Sequence, residues 1–324
     1  MSAHLLIGAG AGLVSAALFA SAAVSAALAS FLLYLCPLPL CLAGLGWGRS
    51  SILIGGLAAT VVMALTLGPA ASLVYALTIA APAAFLVHLL LQARPAAGPE
   101  GEKSGALEWY PAGRLVGAAA LMAGALAGVM VLLLGPDAES YRASIAEMLP
   151  HILKALDPDD SVFKPEMVEN LETVLAKALP AAFAVLWLTV MLFNLWLAGY
   201  IVAASGRSLR PWPDLHGLEV PNIFVAVFAG ALVASFIPGI IGLIATGFAG
   251  AMLFAYVLQG LAVIHVYSLG VPFRPLLLAV VYLGILLLGW LAIIVAILGL
   301  AEPLLGLRAR SARPGSSSNN NDND

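Results

Sequence analysis

Side chains able to do chemistry are scarce inside the apolar segments of this sequence. Asn194 stands in Asn194-Leu195-Trp196-Leu197-Ala198-Gly199, and Gln259 and His265 share the stretch Gln259-Gly260-Leu261-Ala262-Val263-Ile264-His265. In such surroundings these groups either hydrogen-bond between packed helices, at about 0.6 kcal/mol each, or line a polar cavity. Gln259 and His265 would lie about 120° apart around a helix, so they are not a preformed ligand pair. Cys36-Pro37-Leu38-Pro39-Leu40-Cys41 sets two prolines one residue apart. Each removes a backbone N–H, which reads either as a structural kink or as a broken helix of the kind that lines binding sites in transporters. The candidate ligand-binding cavity is therefore Pro37, Asn194, Gln259 and His265. Cys36 and Cys41 would point about 140° apart on a helix. With no His, Met or acid beside them in their segment, they read as small apolar residues and imply neither a metal site nor a disulfide framework.

The absences narrow the chemistry further. The charge-free segments hold no Asp, Glu, Lys or Arg, the groups that ion-coupled carriers place at membrane depth. There is no Gly-rich phosphate loop, no His-Glu-x-x-His and no Ser/His/Asp set at the membrane surface. The expectation is a protein that is not an enzyme, with no catalytic residues, no metal and no cofactor. Transport would need energy from elsewhere.

The elements that must position these residues follow from composition. Of 324 residues, 62% are hydrophobic and 10% charged; soluble domains run at about 45–50% and about 25%. Charge-free stretches fall at about 5–22, 27–48, 51–68, 70–92, 115–135, 179–204, 222–238, 240–268 and 275–300. Gly68-Pro69, Gly135-Pro136, Pro238-Gly239 and Val271-Pro272 punctuate them. Runs of about 18 or more apolar residues read as membrane helices, because a helix satisfies its own backbone in lipid. The fold expected is an all-α polytopic bundle with eight full spans and a last apolar stretch. Spans 1–5 occupy residues 1–135, and spans 6–8 with the last stretch occupy 179–307.

Lys and Arg near span ends favour the cytoplasm. With the N-terminus inside, Arg49, the Arg94/Lys103/Arg114 loop, Arg207, Arg210 and Arg274 all fall inside, as in a multi-pass protein of a bacterial inner membrane. The stretch 275–300 would be about 39 Å long as one helix. It is either a single tilted span or a hairpin broken near Gly289-Trp290, which would keep Arg308, Arg310 and Arg313 inside. No basic residue precedes the first apolar run, so that run is expected to stay as a helix despite the cleavage-like Ala20-Ser21-Ala22.

One large excursion, 136–178, carries nine acids (Asp137, Glu139, Glu147, Asp157, Asp159, Asp160, Glu166, Glu169, Glu172) and is assigned to the periplasm. Ile145, Met148, Leu149, Ile152, Leu153 and Leu156 make one helical stripe, and Val168, Leu171, Val174 and Leu175 another. An amphipathic helical pair is predicted, the first member interrupted by Pro150, the second beginning at Pro165 after the turn 157–161. The Ser/Asn/Asp-rich tail, 308–324, is expected to be disordered.

Gly8, Gly12, Ala16 and Ala20 recur every four residues in the first segment. Such a stripe lets another backbone approach, either within the chain or from a partner membrane subunit. The loop Arg210-Pro211-Trp212-Pro213-Asp214-Leu215 reads as an interfacial Trp anchor or as a contact surface for a partner. The lipid bilayer is the one partner composition requires; nothing calls for nucleic acid.

Four motifs in this order, Leu107-Glu108-Trp109-Tyr110-Pro111, Asn194 to Gly199, Arg210 to Leu215 and Gln259 to His265, resemble the alphaproteobacterial branch of the YybS-like membrane proteins, a family of unknown function. The resemblance covers about 1–308 and departs at Glu302-Pro303, where an Asp-aromatic pair would be expected. That family is similar in fold to the S components of energy-coupling-factor vitamin transporters and to the rod-shape membrane protein MreD. The resemblance implies an S-component-like bundle binding a small ligand or lipid, with the first-helix stripe docking on partner membrane subunits. Its alternative implication is an envelope-assembly scaffold with no transported substrate.

Overall fold

The computed structural model describes residues 3–21, 31–96, 105–156 and 165–305. The turn 157–161 and the tail 308–324 lie outside them. Among the described residues, six helices are long and apolar enough to cross a membrane. They are α1 (Ala3–Ala20), α3 (Arg49–Thr66), α4 (Pro69–Leu90), α5 (Ala112–Leu134), α7 (Pro165–Ala204) and α9 (Ile240–Tyr267). Shorter apolar helices are α2 (Pro37–Trp47), α8 (Ile223–Ala234), α10 (Arg274–Leu288) and α11 (Leu291–Leu305). The chain is an all-α polytopic membrane bundle. α6 (Ala138–Leu156) is the one mainly polar helix among the described residues, running through Pro150.

Direction can be read from close approaches. His4 meets Trp47 O at 3.0 Å while Ser15 Oγ donates to Cys36 O at 2.7 Å, so α2 runs back along α1. α4 returns along α3, Ser72 Oγ donating to Thr60 O. α9 returns along α5, with Phe248 seated on Gly124 and Ile244 on Gly128. The arginines of the hydrophilic turns on this side then fall at one end, here the arginine end. There Arg49 Nη2 donates to Leu91 O (2.8 Å) and Arg210 Nη1 to Leu90 O (2.9 Å), Arg207 lies over Trp47, and Arg210 lies over Trp109. The two guanidiniums thus satisfy carbonyls that the end of α4 leaves without helical partners. The loop after α4 is a two-strand ribbon, β1 (Ala93–Pro95) and β2 (Leu107–Trp109), paired antiparallel with Arg94 opposite Glu108. Arg94 Nε reaches Glu108 at 2.8 Å, and that guanidinium holds the Glu108 carboxyl below its ordinary range.

Four expectations are corrected. The second amphipathic helix is not separate: α7 runs unbroken from Pro165 through Pro180 to Ala204, so no boundary exists at 178/179. The stretch 222–238 gives a helix of only 12 residues, ended at Ala234 by tight turns in which Phe236 N donates to Val233 O and Ile237 N to Ala234 O. The apolar stretch 275–300 is not one tilted span: Gly289 adopts φ 55° and divides it where the hairpin reading put its break, although the two pieces do not lie side by side as a hairpin. α11 packs antiparallel on α9, with Gly260 against Val295 and Gly299 against Tyr256. α10 starts where Arg274 bonds Ser268 (3.2 Å), touches His265 through Tyr282, and meets Leu291 at Gly284. All three points sit beside the last turns of α9, so α10 lies across the arginine end of α9 and not down its side.

The fourth concerns buried acid. Dividing the sequence at charge-free stretches stops at 300, yet α11 continues to Leu305 and carries Glu302, 5% exposed, into its contact with α9. The apolar bundle therefore does hold a carboxyl group.

Candidate functional site

The four residues expected to share a cavity do not converge. Pro37 begins α2 after a tight turn in which Cys36 N donates to Leu33 O and Leu38 N to Leu35 O. A proline at 37 and another at 39 withhold two N–H groups, which frees carbonyls in the preceding turn. Asn194 answers this from α7. Fully buried, its Nδ2 donates to Tyr34 O (2.7 Å) and to Val190 O (2.7 Å). Ser15 Oγ caps Cys36 O and also contacts Tyr75 Oη at 2.7 Å, and Cys36 Sγ donates to Ser15 O. The break is thus closed by protein groups. Both cysteines are buried and free.

Gln259 is a clasp of the same kind. Fully buried, its Oε1 accepts from Val220 N (2.7 Å) and its Nε2 donates to Gly299 O (2.8 Å). It ties α9 to the segment before α8 and to α11. Pro37 makes the break, and Gln259 bonds backbone that irregular segments leave unpaired, while Asn194 bonds Tyr34 O and its own helix's Val190 O and leaves its buried Oδ1 without a hydrogen-bond partner. Of the four, only His265 faces a cavity.

The first-helix stripe is corrected as well. Gly8, Gly12 and Ala16 are buried. A β-carbon on Gly8 would strike the Ser51 carbonyl, one on Gly12 the Gly55 carbonyl, and one on Gly55 would lie 2.7 Å from Gly8 O. α1 and α3 therefore run parallel with their backbones in contact, and the groove is filled by this chain's own α3. Ala20, at the end of the stripe, is half-buried. No docking face for a partner helix is left at Gly8, Gly12 and Ala16.

The cavity that does exist measures about 580 Å³ and lies between α7 and α9 toward the arginine end. Near the other end the two helices pack tightly, Gly247 against the Pro180 carbonyl and Gly250 against Ala181. Past that contact, Leu192, Phe193 and Trp196 on α7 face Phe254, Leu258, Ala262 and His265 on α9 across open space. Ala112, Leu115 and Val116 of α5 form its floor, and the segment 208–218 its roof. Trp212 holds the roof down, with its ring edge-on to Tyr200 and its six-membered edge over Gly199. Phe193 and Trp196 are about half exposed, so the side wall opens toward lipid.

Apart from Thr189, whose hydroxyl donates to Val185 O (2.7 Å), the polar groups lining this cavity lie at its arginine end. Arg210 is partly buried there, and that burial draws its pKa below the ordinary arginine value. His265 holds Nδ1 2.9 Å from Leu261 O and packs edge-on against Tyr282 of α10. Arg210, His265 and Tyr282 at the end of a long apolar space suit the binding of an amphiphile. The lining is missed by a search for polar residues because it is built of Leu, Phe and Trp. The signal that could have found it is the rigid roof motif Arg210 to Leu215, which the sequence marks as unusual but does not connect to a space.

A family described as "Predicted membrane protein (DUF2232)" matches residues 13–302. No curated protein and no solved structure matches the chain.

Proposed function

The chain belongs to the DUF2232 family of predicted membrane proteins, and on that footing we propose that it is a non-enzymatic binding protein for an amphiphile. Its place is a bacterial inner membrane, with the arginine end in the cytoplasm as positive charge near span ends favours. The observation that carries this reading is the cavity of about 580 Å³ between α7 and α9, apolar along its length and cationic at one end. That volume falls within the roughly 300–1,000 Å³ of small-ligand sites. Its side wall faces lipid, which gives an apolar chain a route in without crossing water. An S-component-like role in transport, with the ligand handed to partner membrane subunits, is compatible with such a cavity.

The test is native mass spectrometry of the detergent-solubilised chain, beside its Ala262→Trp variant. Ala262 lies on the cavity wall, half-buried, so an indole there occupies ligand space without entering the close-packed core. Co-purifying lipid should fall in the variant while helicity and melting temperature stay unchanged. A lipid complement identical in both proteins would refute the reading.

A second reading, the envelope-assembly scaffold, is favoured by a different feature. α6 and the first turns of α7 stand beyond the apolar bundle and expose Met148, Ile152 and Val174. As a scaffold the chain would lose partner capture when these three become Ser, with lipid retention unaltered. The binding reading expects the reverse.

A further inference from the structure

A second cavity, of about 630 Å³, adjoins the first at the arginine end. Ala112, Arg210 and Pro213 line both. Across that partition the chemistry changes. The inner chamber is aliphatic and aromatic; the outer one presents Arg114, Asp214, Glu219 and Asn222 in addition to Arg210. Two arginines and two acidic residues therefore line one space, next to a chamber lined mainly by apolar side chains.

This charge pattern selects among amphiphiles. A neutral lipid brings no charge to answer any of the four. A purely anionic headgroup suits Arg114 and Arg210 and is repelled by Asp214 and Glu219. A quaternary ammonium headgroup has no N–H to give the carboxylates. A phosphate joined to a primary amine answers both, since guanidinium forks donate to phosphate oxygens and an ammonium carries three donors for carboxylates. At Asp214, Oδ1 accepts from His216 N at 2.9 Å and lies 3.5 Å from His216 Nδ1.

Resting on the amphiphile reading above, we propose that the two chambers form one site for an aminophosphate amphiphile. Its acyl part lies between α7 and α9, its phosphate lies at Arg210 and Arg114, and its ammonium faces Asp214 and Glu219. The same headgroup chemistry could reach the outer chamber as a membrane lipid or as a free aminoalkyl phosphate; the inner chamber argues for the lipid.

The experiment titrates the full chain in neutral detergent with dioleoyl phosphatidylethanolamine, phosphatidylglycerol, phosphatidylcholine and free phosphoethanolamine, read by native mass spectrometry. Phosphatidylethanolamine is expected to bind about tenfold more tightly than either other lipid, and free phosphoethanolamine more weakly than all three. The double variant Asp214→Asn, Glu219→Gln keeps an amide oxygen to accept from the His216 N–H and should lose the preference over phosphatidylcholine. Arg114→Gln should weaken all three phospholipids together. Retention of all three lipids with equal affinity, or a preference for phosphatidylglycerol, overturns the headgroup assignment while the amphiphile reading stands. Retention of none above background overturns the amphiphile reading itself. Phosphoethanolamine binding as tight as the lipid overturns the lipid source.

Discussion

Two pairs of helices in this molecule use the same packing device and reach opposite results. In α1 and α3 small residues face each other turn after turn, Gly8 on Ser51 and Gly12 on Gly55, with Ala16 buried beyond. The backbones stay in contact, and the pair closes like a zip. α7 and α9 begin the same way, Gly247 and Gly250 meeting Pro180 and Ala181. There the small residues stop. Phe254, Leu258, Leu192 and Trp196 follow, and side chains of that size prop the helices apart. A continuous small-residue stripe yields a seam, while an interrupted one yields a wedge-shaped cavity. In lipid, where apolar burial does not drive helices together, backbone approach decides how close they come.

Substitutions can break this contrast in graded steps. The largest effect is expected from Gly12→Leu, which puts a side chain into the Gly55 carbonyl; about 3 kcal/mol or more should be lost, read as thermal unfolding in detergent. Gly10→Leu on the open face of the same helix, where nothing lies within 4 Å, should leave the melt unchanged. Equal losses in both variants would show that α1 and α3 are not zipped by backbone contact. Next comes Gln259→Leu, which strands the Val220 N–H and the Gly299 carbonyl at the cost of about 2 kcal/mol. Its melting curve should shift down together with the α9–α11 seam, seen as faster amide exchange in α11.

A smaller loss, about 1 kcal/mol, is expected from Gly250→Ala, whose new methyl lies 2.6 Å from the Ala181 side chain. It should widen the wedge and alter lipid retention more than it alters stability; a melt shifted with lipid unchanged would argue that the contact does not set the cavity. The smallest effect concerns α6. Asp137 Oδ1 accepts from Ser140 N (2.8 Å) and Glu139 N (3.0 Å), and these bonds hold its carboxyl below the ordinary aspartate range. Because the folded value is depressed, the cap's contribution is present at neutral pH and is lost as pH falls through that folded value. Amide-exchange protection in the first turn of α6, corrected for the intrinsic pH dependence of exchange, should fall progressively from the ordinary aspartate range down through that lower value.

Much of the bundle was legible because lipid imposes simple rules on a chain. Charge-free length marked the long helices, and the arginines Arg49, Arg94, Arg114, Arg207 and Arg210 do share one end. Pro165 does begin a helix. What was hidden has physical reasons. A stripe of glycines specifies close approach but not the partner, and α3 meets it at Ser51 and Gly55. Asn194 and Gln259 are polar because neighbouring backbone is irregular, so polarity pointed to helix breaks and away from the cavity. The cavity walls are ordinary lipid-like residues whose meaning lies in spacing between helices, which one sequence does not encode locally. Glu302 escaped because division at the charge itself placed it beyond the last apolar stretch.

The unbroken length of α7 has a mechanical consequence. At 40 residues it is a rod of about 60 Å, twice the thickness of a hydrocarbon core. Its tight contact with α9 at Ala181 acts as a fulcrum, with arms of about 24 Å to Pro165 and about 22 Å to Trp196. The arms are nearly equal. Pro180, one residue before the contact, withholds the N–H that Ala176 O would accept, and Tyr141 Oη of α6 donates there instead at 3.1 Å. The two arms therefore meet at a proline joint, and it is at that joint that α6 takes hold of the rod.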